Sequence, residues 1–244
     1  MSHDPARTDL QSRYARRADG VRYSMLQPQV WQTVQERQRA VIRRFRRAWG
    51  FDLSQIRLLE VGCGAGGNLL DMMRLGIDPR HLAGIELIES RWQQARAVLP
   101  ESVTLTCADA CETSLGDGQW DVVMQFTVFS SLLDAHQQER LARAMWQAVR
   151  PGGVVLWYDF TVNNPQNADV RGVAVRRIRE LFSEGDLEVE RLTLAPPLAR
   201  RVCQWHPSLY DVFNAIPWWR THCLAWITKP AALTTPAIIS PPGA

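Results

Sequence analysis

The stretch that decides the fold is Leu58-Leu-Glu60-Val-Gly62-Cys63-Gly64-Ala-Gly66-Gly67-Asn68-Leu-Leu70. A short apolar run stops abruptly at four glycines spread over six positions, and a helical pattern follows at once. That order, strand then glycine turn then helix, lets a backbone approach a ligand closely at a helix N-terminus. Taken alone the string is ambiguous. Gly62, Gly64 and Gly67 also satisfy the GxGxxG spacing of dinucleotide-binding domains, and Glu86 lies about 20 residues on, where a ribose-binding acid sits in either case.

Short apolar runs alternate with helical stretches on both sides of this turn, which is the signature of βαβ units and a mostly parallel sheet. Strands are predicted at residues 57–61, 82–86, 103–107, 121–126 and 154–159, with helices near 67–75, 89–98 and 136–149. After Asp159 comes an Asn/Pro-rich loop, then a short helix near 173–182 and strands near 187–194 and 222–228. Between these last strands, residues 195–220 are rich in Pro, Trp and Arg and exceed what a hairpin needs, so they are read as an insertion over the site.

Other residues settle which cofactor the turn serves. The chain resembles the class I S-adenosylmethionine-dependent methyltransferases through Glu60-Val-Gly62-Cys63-Gly64-Ala-Gly66, Glu86 ending the second strand, Ala108-Asp109-Ala110 after the third, and Arg150-Pro-Gly-Gly153 before the fifth. The resemblance is strong over residues 55–160 and rests on topology alone over 171–229. It implies a Rossmann-like α/β fold, a seven-stranded mostly parallel sheet with helices on both faces and the last strand inserted antiparallel. It also implies S-adenosyl-L-methionine as cofactor, with the glycine loop against its amino-acid end, Glu86 on the ribose and Asp109 on the adenine amino group. The cofactor-binding set expected on this basis is Glu60, Gly62, Cys63, Gly64, Gly66, Asn68, Glu86, Leu87, Asp109, Ala110 and Gln125. Acids at successive strand ends suit a cationic ligand and would repel the pyrophosphate of NAD. An NAD-type Rossmann oxidoreductase is therefore the lesser alternative.

Length and composition agree with this assignment. The chain has 244 residues, with 46% hydrophobic and 22% charged, enough for one large α/β domain and its own core. Its parts are expected to be a helical basic extension at 1–54 covering the site, the methyltransferase domain at 55–229, and a disordered tail at 230–244. No apolar leader opens the chain and no run is long enough to span a bilayer, which suggests a cytoplasmic protein. Five cysteines without a CxxC pair favour neither disulfides nor a metal site.

Charge is unevenly spread. The first fifty residues carry eleven arginines against Asp4, Asp9, Asp19 and Glu36, and the chain as a whole has a net charge of +3. Apolar residues Val30, Trp31, Val34, Val41, Ile42, Phe45, Ala48 and Trp49 recur at helical spacing between those arginines, predicting an amphipathic helix at Pro28–Trp49. This helix is expected to close over the cofactor, with Tyr14 and Tyr23 of the preceding segment near the ligand. The arginines of residues 7–47 also leave open an alternative in which this basic arm docks RNA, with or without methylation.

Methyl transfer from a sulfonium is an in-line displacement, so the protein must chiefly align the nucleophile, and a base is needed only when the acceptor has a proton to lose. The place of the NPPY tetrad of amino-methyltransferases of DNA reads Gln125-Phe-Thr-Val128 here, which disfavours that class. Asp159, at the end of the fifth strand, and His206, in the aromatic insertion, are the bases expected, with Asp134, His136 and His222 as further candidates. The loops around 157–173 and 209–229 are similar to those of methyltransferases encoded with bacterial polysaccharide and glycolipid biosynthesis enzymes. That likeness implies O-methylation of a small-molecule or saccharide hydroxyl.

Overall fold

The computed structural model describes residues 24–163 and 169–231. Tyr14, Tyr23 and the tail from residue 232 lie outside the described residues. Seven strands form one sheet in the order β3-β2-β1-β4-β5-β7-β6. They are β1 (Leu58–Val61), β2 (Leu82–Glu86), β3 (Thr104–Cys107), β4 (Trp120–Phe126), β5 (Val149–Phe160), β6 (Asp186–Leu194) and β7 (Arg220–Thr228). Neighbours from β3 across to β5 pair in parallel, while β7 runs antiparallel to both β5 and β6. The expected sheet, with its last strand reversed, is the one observed.

The central strands are buried on both faces, which is why β1 and β2 read as continuous apolar runs rather than alternating ones. One face is covered by α1 (Pro28–Trp49), α2 (Gly67–Arg74) and α3 (Glu89–Val98), with Ala40, Val41 and Phe45 of α1 packed into the core that contains Leu58, Met124, Leu156 and Trp226. The other face is covered by α4 (Ala135–Ala148) and α5 (Val175–Leu181), whose core contains Met145, Trp157, Ile178 and Ile227.

Strand β5 begins five residues earlier than the apolar pattern indicated. Val149 pairs with Trp120 before the register shifts, so Arg150-Pro-Gly-Gly153 forms an irregularity inside the strand rather than a turn ahead of it. A Cβ on Gly153 would stand 2.9 Å from the Asp121 carbonyl oxygen, which explains the glycine there.

Residues 195–220 are not an irregular excursion. They fold into α6 (Pro196–Trp205), α7 (Leu209–Asn214) and a 3-10 turn at Pro217–Trp219, sharing a small core of Leu194, Ala199, Val202, Cys203 and Tyr210. Because β6 ends at Leu194 and β7 starts at Arg220, this helical cap stands at the same sheet edge as the carboxyl ends of the parallel strands. No helix among the described residues is long and apolar enough to cross a membrane.

Candidate functional site

Carboxyl ends of parallel strands, with loops and helix N-termini around them, are where open α/β sheets hold ligands. Here that edge has two halves. The first is built by the loop between β1 and α2. Gly62 and Cys63 both donate their N–H groups to the Ile85 carbonyl, at 2.8 and 3.1 Å, so the loop crosses onto β2. The turn requires glycine twice over: Gly62 has φ +69° and a Cβ on it would stand 2.5 Å from a Val128 methyl, while Gly66 has φ +83° and would meet Leu99 at 2.8 Å.

The expected acids gather around this loop. Glu86 accepts from the Gly64 N–H at 2.8 Å and from the Ile88 N–H at 2.9 Å, so it braces the turn and keeps lone pairs for a ligand. Asp109 is half-buried one strand over and accepts from the Cys111 N–H at 2.8 Å. Glu60 is fully buried; its Oε1 accepts from Asn68 Nδ2 at 2.6 Å, and its Oε2 has no partner. Burial, only partly offset by Asn68 and Arg37, pushes this carboxyl up to about 8. A buried carboxylate oxygen with nothing to accept from calls for a cationic or hydrogen-donating ligand.

Two further residues of the expected set serve the frame, and two lie at its border. Cys63 is buried with its Sγ close against Gly84, and burial holds the thiol protonated. Gln125 is buried and uses Oε1 to accept from the Val128 N–H at 2.9 Å, bracing the turn after β4. Leu87 and Ala110 lie half-buried just beyond β2 and β3.

The second half is assembled by α1, β5, β7 and the helical cap. Arg37 of α1 donates to Asn68 Oδ1 at 3.0 Å and lays its guanidinium over Phe126 and Tyr158, at 4.8 and 5.2 Å from the ring centroids. His222 stacks on Tyr158 at 5.2 Å and meets Phe160 edge-on at 5.8 Å. Burial, reinforced by the positive charge of Arg37, lowers the imidazole to about 3, so His222 is neutral at physiological pH.

Beside Arg37, the buried carboxylate of Glu36 accepts from the Thr193 backbone N–H, the Tyr210 hydroxyl at 2.7 Å and Asn214 Nδ2 at 2.7 Å. Thr193 and Thr127 are the described non-glycine residues with positive φ, at 66° and 61°. They stand at the carboxyl ends of β6 and β4. Backbone strain of this kind persists where the surroundings over-determine it, here through Glu36 and Tyr158 on Thr193 and the Tyr158 carbonyl on Thr127. Nothing in the periodicity of α1 marks Glu36 or Arg37, because their partners lie far away in sequence.

The expected bases do not meet at this wall. Asp159 points to the opposite face of β5, has no exposed surface, and spends both oxygens on the backbone N–H groups of Ser130 and Phe160, at 3.0 and 2.9 Å. It braces the turn after β4 and has no surface through which to take an acceptor's proton. His206 is exposed at the C-terminus of α6 and accepts from the Ser208 N–H. Asp134 caps α4, and His136 is exposed in its first turn. His222 alone of the candidate bases sits among the aromatic residues beside Arg37.

The arginines of α1 are likewise answered within the chain. Arg43 pairs with Glu190, Arg44 and Arg47 with Glu188, Arg39 with Asp211, and Arg46 stacks on Phe51. These pairs answer much of the positive charge of α1, while residues 7–23 of the basic arm expected to dock RNA lie outside the described residues. Apart from Arg44, which is largely buried, these arginine side chains are exposed and their pairs individually weak, and those with Glu188 and Glu190 tie α1 to β6.

Residues 58–153 match the methyltransferase domain family. The domain is that of an S-adenosylmethionine-dependent methyltransferase. Solved structures share the fold. An S-adenosylmethionine-dependent methyltransferase from Archaeoglobus fulgidus is 16% identical with a TM-score of 0.57, covering 79% of this chain and 94% of its own. One from Mesorhizobium loti is 18% identical, TM-score 0.55, over 73% and 93%. The phosphoethanolamine N-methyltransferase 2 of Haemonchus contortus, solved with S-adenosyl-L-methionine, is 17% identical, TM-score 0.58, over 80% of this chain and 52% of that one. No curated protein matches the chain in sequence.

Proposed function

We propose that this methyltransferase acts on a hydroxyl oxygen of a small or saccharide-like acceptor. S-adenosylmethionine brings a methyl group already activated on a sulfonium, so the protein's work is to hold donor and acceptor in line and keep water out. The donor half fits that cofactor: a glycine turn that admits close backbone approach, acids at three strand ends, and one buried carboxylate oxygen of Glu60 with no partner. In this reading Glu86 takes the ribose hydroxyls, Asp109 the adenine amino group and Glu60, with Asn68, the ammonium end. Arg37, bonded to Asn68 and adjacent to Glu60, pairs with the cofactor's carboxylate.

The observation that carries the choice of acceptor is His222. It is neutral, stacked on Tyr158 and bordered by Arg37, so it can accept a hydrogen bond from a hydroxyl but offers no negative charge. The carboxylates nearby, Glu36 and Asp159, already have both oxygens bonded. An ammonium acceptor would find a guanidinium and no free carboxylate there, which disfavours amine substrates. Aromatic faces such as Phe126, Tyr158 and Phe160 suit a sugar or phenol ring.

The test is release of S-adenosylhomocysteine over a panel of saccharides, phenols and amines. Methyl transfer to hydroxyls is expected, with His222→Ala lowering kcat/KM by roughly tenfold to a hundredfold, the worth of one buried hydrogen bond, at unchanged cofactor affinity. Transfer to amine nitrogen alone would contradict the reading.

A further inference from the structure

Twelve large apolar side chains are exposed among the described residues, and their distribution is uneven. Ile42, Phe51 and Val98 are scattered. The other nine belong to segments at the carboxyl edge of the sheet, and they include Leu26, Trp31, Trp205, Val212, Trp218 and Trp219. The N-terminal turn of α1 joins the helical cap there: Gln32 donates to the Pro207 carbonyl, Thr33 bonds the Tyr210 hydroxyl, and Gln27, Pro28 and Gln29 line a groove with Cys203 and Gln204 of α6. Leu26 is 93% exposed, Trp218 89% and Trp205 83%.

We propose that this rim docks on an anionic lipid surface, bringing the mouth of the active site to the membrane interface. Three features point to lipid. The most exposed rings of the rim are tryptophans, whose apolar body and N–H suit the boundary between headgroups and acyl chains. Trp205 and Trp218 stand on separate segments, α6 and the 3-10 turn, so a deformable medium can bury them where a protein partner would need a matching pocket for each. Charge on the cap side of this edge is mostly cationic: Arg201 of α6 and Arg171 of the loop after β5 are exposed and Asp211 is paired with Arg39, while the exposed acids Glu89, Glu112 and Asp134 stand on the segments after β2, β3 and β4. Tryptophan interleaved with arginine on a helical cap is the composition of surfaces that lie in an anionic interface. This docking stands whether or not the acceptor is a hydroxyl.

The experiment is sedimentation of the full chain with vesicles of phosphatidylcholine alone and of phosphatidylcholine with phosphatidylglycerol, with tryptophan emission as a second readout. Binding to the anionic vesicles with a blue shift is expected. The Trp205→Ala/Trp218→Ala double variant should lower the partition coefficient by about tenfold or more. Arg201→Glu should weaken binding to anionic vesicles only. Both tryptophans are exposed, so a thermal melt and an S-adenosylhomocysteine titration should match the parent protein. Failure to bind either vesicle would overturn the proposal. So would a dimer in light scattering that the double variant dissociates, since that assigns the rim to a second copy of the chain.

Discussion

The two halves of the carboxyl edge are built by different means. The donor half, from β1 to β3, is made of backbone: glycines that nothing else can replace, N–H groups tied to Ile85 and Glu86, and acids one strand apart. The acceptor half, from β5 to β6, is made of side chains brought from opposite ends of the chain, with Glu36 bonded to Asn214 across 178 positions and Thr33 to Tyr210 across 177. Backbone-built sites write their requirements locally in the sequence. A site built from distant side chains does not.

The comparison is broken most strongly at Glu36. Glu36→Ala leaves the Thr193 N–H, the Tyr210 hydroxyl and the Asn214 amide without their acceptor, and is expected to cost about 3–5 kcal/mol in urea unfolding. A loss below about 1 kcal/mol would mean that the cap is held by its apolar core alone.

In the donor half the matching lesion is Gly62→Ala. A left-handed alanine costs roughly 1–2 kcal/mol and crowding against Val128 a further 1–3 kcal/mol. Calorimetry should find cofactor affinity reduced together with stability, whereas Glu36→Ala should leave a folded sample able to bind.

A smaller effect sharpens the role of Glu60. Its carboxyl sits at about 8 in the free protein, and an ammonium ligand favours the ionised form, so binding expels a proton. Affinity for S-adenosylmethionine should rise as pH increases towards 8, by up to about tenfold per unit, and level off above it. Glu60→Gln should flatten that slope. In the free protein the same group works oppositely on stability: burial holds its folded value above the ordinary carboxyl value of 4.5, so stability is full below that value and declines as pH rises through about 8.

The contrast also explains what could be read before the structure. The strand order, the reversed last strand and the loop of Gly62–Gly67 follow from apolar runs and glycine spacing, which local sterics enforce. The early start of β5 was hidden because Arg150-Pro-Gly-Gly153 looks like a turn, and only pairing of Val149 with Trp120 draws it into the strand. Asp159 and His206 drew attention by position, one at a strand end and one among aromatic residues. Burial and local bonds decide otherwise, since Asp159 faces away and His206 closes a helix. His222 had no distinguishing neighbour in sequence; its register opposite Phe160 aligns it with the Tyr158 face. The arginines of α1 read as a basic face in sequence, and only the fold brings Glu188 and Glu190 beside Arg43, Arg44 and Arg47.

The division of labour between the halves is tested most directly by titrating S-adenosylhomocysteine into the parent protein, Glu86→Ala and His222→Ala. Glu86→Ala should weaken binding by about 1.5–3 kcal/mol, roughly tenfold to more than a hundredfold, because it removes the brace on the Gly64 and Ile88 N–H groups together with the charge-assisted ribose contacts proposed for it. His222→Ala should bind as the parent does. Equal losses in both variants, or a loss confined to His222→Ala, would contradict the account by putting the cofactor across the half assigned to the acceptor.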